Sequence, residues 1–199
     1  MKLNLAERLL INNLVRSAVQ RFYEGPVLRS MGGDVKGGTV LEIGCGRGVG
    51  IEVIVEQFHA AHVYGIDLDP FQIKLASKRL QGRYDGLFTL AQGDAERLLF
   101  ADASFDAVFD FGALHHVPDW QTAIAEIRRV LKPGGTFFFE EVTRAALERW
   151  LYRRFLEHPT ENRFSEPEFL AQAVKYGMQP ASTMRRLFFG DIFIGVAKL

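Results

Sequence analysis

VLEIGCGRGVG, residues 40–50, opens as a short apolar strand and runs into a loop with glycine at positions 44, 46, 48 and 50. Glycine alone takes positive φ at no steric cost and leaves bare backbone for a ligand, so this density describes a loop wrapped around something bound. The usual occupant of a glycine-rich strand-to-helix turn is a dinucleotide, seated on the helix N-terminus through a GxGxxG spacing. That spacing fails here, because Val49 stands where the third glycine belongs and the pattern is GxGxG. Glu42, two residues ahead of the loop, raises a second objection: its carboxylate repels a pyrophosphate and attracts a cation. The loop suits a ligand that carries positive charge.

The chain around this loop has 199 residues, enough for one domain with its own apolar core. The expected division is an N-terminal helical cap over residues 1–38, a cofactor-binding core over 39–142, a helical cap segment over 143–178 and a terminal hairpin over 179–199. Lysine and arginine equal aspartate and glutamate at 24 each, which removes the basic excess that drives nucleic-acid binding. The single cysteine, Cys45, allows no internal disulfide and no cysteine-only metal cluster, and no metal is expected. Its place inside the glycine loop reads as small-side-chain packing rather than nucleophilic chemistry. The opening MKLNLAERLLINNLV is broken by Asn4, Glu7, Arg8, Asn12 and Asn13, unlike a signal-peptide core. No apolar run approaches the ~20 residues of a membrane span. The expectation is a soluble cytoplasmic protein with no nucleic-acid partner and no membrane span, a homodimer being left open.

Apolar strand-like runs alternate with segments of helical period along most of the chain, the pattern of a parallel sheet with crossover helices. Asn4 with Glu7 reads as a capping pair for a helix reaching about Phe22, and Gly37-Gly38 breaks the chain before a strand at 39–44. Ile51, Ile54, Val55 and Phe58 give the helix after the glycine loop one apolar face. A strand at 62–67 precedes Asp69-Pro70, a cap and a first-turn proline for a helix to about Leu80. Strands follow at 87–91 and 105–111, then a helix capped by Asp119 and stopped by Lys132-Pro133-Gly134-Gly135, then a strand at 136–142. Ser165 with Glu168 opens another helix, closed by Gly177. The runs 181–188 and 191–197 are too close for a parallel crossover and form an antiparallel hairpin. The fold class is therefore α/β: a Rossmann-like, doubly wound, mostly parallel sheet of seven strands with an antiparallel C-terminal hairpin and helices on both faces.

In such a sheet ligands bind at the C-terminal strand ends. The glycine loop, Asp67, Asp94, Phe111-Gly112-Ala113 and His115-His116 all fall there. Taken in order, VLEIGCGRGVG, YGIDLDP, QGDAE, SFDAVFDFGALHHVPD and RRVLKPGGTFFFEE resemble the class I S-adenosylmethionine-dependent methyltransferases, particularly the compact small-molecule branch that includes quinone-biosynthesis C-methyltransferases. The resemblance covers residues 39–142. It implies that the backbone of Gly44, Cys45 and Gly46 lies against the methionine part of S-adenosylmethionine, with Glu42 favouring its cationic end. It further implies that Asp67 accepts from both ribose hydroxyls, that Leu68 packs on adenine, and that Asp94 accepts from the adenine amino group. The Ala95 N–H would serve a ring nitrogen, and Phe111 with Gly112 would line the methionine side. The product left behind would be S-adenosylhomocysteine.

A sulfonium makes its methyl group electrophilic, so the protein mainly has to hold a nucleophile in line, an arrangement that supplies ~7–11 kcal/mol of the barrier. An acceptor arriving protonated also needs a base. His115 and His116 are the leading candidates, although adjacent residues do not both face one pocket from a regular element; Glu140 and Glu141 come second. A PPY-type motif after the fourth strand is absent, as are the clustered acids of a divalent-metal site, which leaves a small-molecule acceptor. Phe22, Tyr23, Trp150, Tyr152, Phe155 and Phe164, beside Arg149, Arg153, Arg154 and Arg163, either receive an apolar or planar anionic acceptor or pack as ordinary amphipathic helices; Arg185 and Arg186 share that ambiguity. Two rival readings keep the same fold: an NAD- or NADP-dependent oxidoreductase, disfavoured by Val49 and Glu42, and a non-catalytic binding or scaffold protein.

Overall fold

A computed structural model describes residues 13–149 and 161–199. The Asn4–Glu7 pair and Trp150, Tyr152, Arg153, Arg154 and Phe155 lie outside the described residues. Asn13 caps helix α1 (Leu14–Val19), its side chain accepting from the Arg16 N–H at 2.7 Å. The helix does not end near Phe22 as expected. It passes through a π-helical turn, Gln20–Glu24, into α2 (Gly25–Gly32), with the Gly25 N–H closing on the Gln20 carbonyl. Pro26 explains the wide turn, because proline lacks an N–H and crowds the carbonyl four residues back. Gly25 explains the docking: a Cβ there would stand 2.7 Å from Val53 Cγ1, so only bare backbone lies this close to the next helix.

The core alternates as its sequence suggests: β1 (Thr39–Ile43), α3 (Val49–Phe58), β2 (His62–Asp67), α4 (Pro70–Leu80), β3 (Phe88–Gln92), β4 (Phe105–Phe111), α5 (Trp120–Val130) and β5 (Leu131–Val142). After β5 come α6 (Arg144–Leu147), α7 (Glu166–Lys175), β6 (Gln179–Pro180), β7 (Arg185–Leu187) and β8 (Ile192–Lys198). The caps read from sequence are present, with Asp69 accepting from Phe71 N–H, Asp119 from Thr122 N–H, and Ser165 paired reciprocally with Glu168.

The sheet runs β3-β2-β1-β4-β5-β8-β6, with β7 also pairing β8. Strands β1 to β5 are parallel, and β8 returns antiparallel to β5 from Thr136↔Lys198 to Val142↔Ile192. Here the structure corrects the expected strand count. Of the run expected at 181–188 only Arg185–Leu187 forms a strand, β7, while β6 stands just ahead of the run at Gln179–Pro180; the two lie end to end along the edge of β8 that β5 leaves open. Pro180 belongs at such an edge because it has no N–H to donate. Eight strands thus occupy seven positions.

Alternation sorts the strand residues onto two apolar layers. Val40, Val63, Phe109, Phe138 and Ile194 pack with α2, α3 and α4, where the Phe109 and Phe138 rings stack at 4.3 Å and Phe58 meets both edge-on. Leu41, Ile43, Val108, Phe137 and Phe139 pack with α5 and α7 on the opposite face. Phe164 belongs to this second layer: it is 2% exposed, with its ring 4.9 Å from that of Trp120, so it packs rather than lining an acceptor pocket. Register brings Ile43 level with Ile66 and Asp110, Asp67 level with Gln92, and Phe111 level with Glu140. The polar residues singled out in the sequence therefore share one sheet edge.

Candidate active site

The glycine loop leaves β1 with positive φ at Gly44, Gly46 and Gly48. At Gly44 space is also decisive, since a Cβ would stand 2.3 Å from that of Ala113 in the neighbouring loop. Gly50 serves a different purpose, because it lies inside α3 with ordinary helical backbone. A Cβ there would fall 1.8 Å from Glu42 Oε1, so its bareness makes room for the carboxyl of β1. Glu42 is 1% exposed and its Oε2 has no hydrogen-bond partner. Burial, followed by the charges of Asp67 and Asp110, holds this carboxyl well above the usual carboxylate range.

Asp67 ties the loop to the end of β2. Its Oδ2 accepts from Gly46 N–H at 2.9 Å and its Oδ1 from Asp69 N–H at 2.8 Å. Burial raises its pKa while the two donated N–H groups pull the other way. Beside it Leu68 is half-exposed, at 37%, whereas Asp94 is exposed and accepts from Glu96 N–H at 3.0 Å. Ala95 and Phe111 are buried and Gly112 takes positive φ. Cys45 is buried, and desolvation with the nearby Glu42 and Asp67 pushes its thiol well up, which suits packing and not thiolate chemistry.

Glu140 and Glu141, consecutive on β5, diverge to opposite faces as strand alternation requires. Glu140 meets Arg16 of α1, whose guanidinium spans Glu140 Oε2 at 2.9 Å, both Glu24 oxygens and the Phe111 carbonyl at 3.2 Å. Burial, then the neighbouring Glu140, raises the Glu24 pKa to about 8. Arg47 of the glycine loop also donates to the Asn13 carbonyl and to Ser17 Oγ, so α1 is fastened across the site. On the other face Glu141 receives His115 Nδ1 at 2.7 Å, and the His115 and His116 rings sit 4.2 Å apart in the turn Leu114–His116. The sequence reading missed Arg16, Glu24 and Asp110. Asp110 had a legible signal, an acid inside the apolar run FDAVFDF; Arg16 had none, because its partners lie up to 124 residues away.

Asp110 and Glu141 are fully buried together. Desolvation and mutual repulsion push Asp110 far up, and burial first of all raises Glu141 to about 8. Unfolding returns both to ordinary carboxylate values, so between about pH 4.5 and pH 8 the unfolded chain binds fewer protons than the folded one. Stability then falls as pH rises through that window, by up to about 1.4 kcal/mol per pH unit for each proton retained. Asp110→Asn removes one such group, and its melting temperature between pH 5.5 and 8 should decline less steeply than that of the wild type.

A parallel sheet with a left-handed glycine loop after its first strand, an acid closing its second and a final antiparallel strand beside its fifth defines a Rossmann-like domain with a cofactor site at its C-terminal edge. Residues 41–139 match the family described as methyltransferase domain. The phthiotriol/phenolphthiotriol dimycocerosates methyltransferase of Mycobacterium tuberculosis is 41% identical over 109 residues, 55% of this chain and 39% of that protein. The fatty-acid O-methyltransferase of Mycolicibacterium smegmatis is 38% identical over 108 residues, 54% of this chain and 38% of that one. A solved S-adenosylmethionine-dependent methyltransferase from Aquifex aeolicus shares the fold, with a TM-score of 0.75 at 19% identity over 99% of both chains. Residues 41–139 of the chain are a methyltransferase domain of the class I S-adenosylmethionine-dependent kind. The chain spans about two fifths of the length of the curated relatives it matches. Among the described residues no helix is long and apolar enough to cross a membrane.

Proposed function

We propose that this protein transfers a methyl group from S-adenosylmethionine to a small-molecule acceptor, in the cytoplasm and without nucleic acid. The observation that carries the reading is the buried Glu42 carboxyl, with an oxygen lacking any donor, directly behind a glycine loop of positive φ. A cationic ligand against that loop supplies what Glu42 lacks, and a pyrophosphate would not. Gly44 to Gly46 would hold the methionine part, with Phe111 and Gly112 opposite. Asp67 would take the ribose hydroxyls with the lone pairs left over from Gly46 and Asp69. Leu68 would face adenine, with Asp94 and Ala95 at its polar edge. When bound, the cofactor supplies a methyl group already activated by its sulfonium. The chain's own residues orient the acceptor, exclude water under α1, and receive a proton at His115 or His116 where the acceptor carries one.

The relatives named for dimycocerosate and fatty-acid acceptors make a lipophilic compound the first class to test. Leu14, Val15 and Phe22 support it: they expose 82%, 72% and 76% of their surface on the helical segment that covers the site. S-adenosylhomocysteine at about 100 times its dissociation constant should add about 2.7 kcal/mol, which for a chain of this size raises the melting temperature by about 5–10 °C. Incubation of labelled cofactor with fractionated extract, read by mass spectrometry, would then identify the acceptor as the compound heavier by one methylene. Absence of a thermal shift at millimolar ligand overturns the reading; a shift without methyl transfer to any fraction leaves a non-catalytic binding protein.

A further inference from the structure

We infer that Glu141 is a positioning residue for His115, taking the Nδ1–H of its imidazole so that a proton arriving at the ring goes to Nε2, while Asp110 beneath keeps Glu141 an acceptor. This rests on the methyl-transfer reading, with His115 as its base. The hold on His115 has two points. Glu141 Oε2 lies 2.7 Å from Nδ1, and Glu141 Oε1 accepts the backbone N–H groups of Leu114 at 2.6 Å and of His115 itself at 3.2 Å. Oε2 also accepts from Val142 N–H at 3.0 Å. One carboxylate thus fixes both the turn and the ring that the turn carries.

A carboxylate that meets only N–H groups gains from being charged, yet Glu141 is 0% exposed, and an isolated buried charge is costly. Asp110 resolves the conflict. Its Oδ1 accepts from Ala113 N–H at 2.8 Å, while its Oδ2 is buried without a donor, in contact with Glu141. Of two carboxyls in contact, the acid without competing donors keeps its proton to higher pH. Protonated Asp110 donates to Glu141, so Glu141 is the acid that ionises, above about pH 8, and its anion takes Nδ1–H. The His115 ring lies at the site: its Cε1 is 3.7 Å from where a Cβ on Gly112 would stand, and Glu140 Oε2 is 3.6 Å from the same point.

The test reads the tautomer directly. Protein labelled with nitrogen-15 histidine, its His115 signals assigned by their loss in His115→Asn, should show Nδ1 protonated and Nε2 bare at mildly alkaline pH. In Glu141→Gln the side-chain oxygen remains with the Leu114 and His115 N–H groups, so the amide NH2 faces Nδ1, Val142 N–H loses its acceptor, and the tautomer should invert. Asp110→Asn still donates to Glu141 and should keep the wild-type tautomer. Methyl transfer into the extract fraction that the wild type labels should drop about 10²-fold in Glu141→Gln, with S-adenosylhomocysteine binding unchanged. An Nε2–H tautomer in the wild type, an uninverted one in Glu141→Gln, or full transfer despite inversion overturns the inference. The wild-type spectrum decides alone should the variant not fold. Loss of S-adenosylhomocysteine binding by the wild type would instead overturn the methyltransferase reading.

Discussion

Asp67→Ala should lower affinity for S-adenosylhomocysteine by about 10²- to 10⁴-fold, because two hydrogen bonds to a charged acceptor at about 1.5–3 kcal/mol each would be lost together. The structure adds a second loss. Asp67 already accepts from Gly46 N–H at 2.9 Å and from Asp69 N–H at 2.8 Å, so alanine also frees the glycine loop from β2 and leaves two backbone donors unserved. Asp67→Asn separates the contributions. Its amide keeps one acceptor oxygen, but its NH2 must face either a backbone N–H or a ribose hydroxyl, so it loses at least one of the original bonds. Calorimetric titration should rank wild type far above asparagine, and asparagine at or above alanine. The melting temperature without ligand should fall modestly in both variants. Wild-type affinity in the alanine variant would show that Asp67 only fastens the loop, and the cofactor assignment at the end of β2 would fall with it.

The sequence made this edge legible because its signals are local. A GxGxG loop, an acid closing the next strand, and caps such as Asp69-Pro70 and Ser165 with Glu168 each act within a few residues, and each is present. What it hid is long-range or arises from competition. The close docking of the turn before Pro26 depends on α3 leaving no room for a side chain at Gly25. The shortening of the expected strand at 181–188 to β7, with β6 formed ahead of it, goes with one β8 edge being shared by two short pieces. The divergence of Glu140 and Glu141 was readable in principle, since period two sends neighbours to opposite faces. Their partners, Arg16 on one side and His115 with Asp110 on the other, were not, since helix α1 and the turn after β4 are brought to β5 only by the fold.

Glu42→Leu should change stability and ligand binding in opposite directions. Without ligand, Glu42 is a buried carboxyl held toward its neutral form by desolvation, with one oxygen unsatisfied, and such a group costs about 1–3 kcal/mol. Leucine is of similar size and fits the space Gly50 leaves, so the variant should melt a few degrees higher than the wild type. With ligand, the advantage reverses. A cation at the glycine loop draws Glu42 toward its charged form, and a charge-assisted contact of about 1.5–3 kcal/mol corresponds to roughly a 10- to 100-fold loss of affinity in leucine. Comparing two ligands locates the cation. S-adenosylmethionine carries a sulfonium and an ammonium, S-adenosylhomocysteine only the ammonium. If Glu42 serves the sulfonium, Glu42→Leu weakens the first ligand far more than the second; if it serves the ammonium, both weaken alike. A variant less stable than the wild type that binds both ligands normally would make Glu42 a structural acid, and the GxGxG loop would lose the charge argument that separates it from a dinucleotide turn.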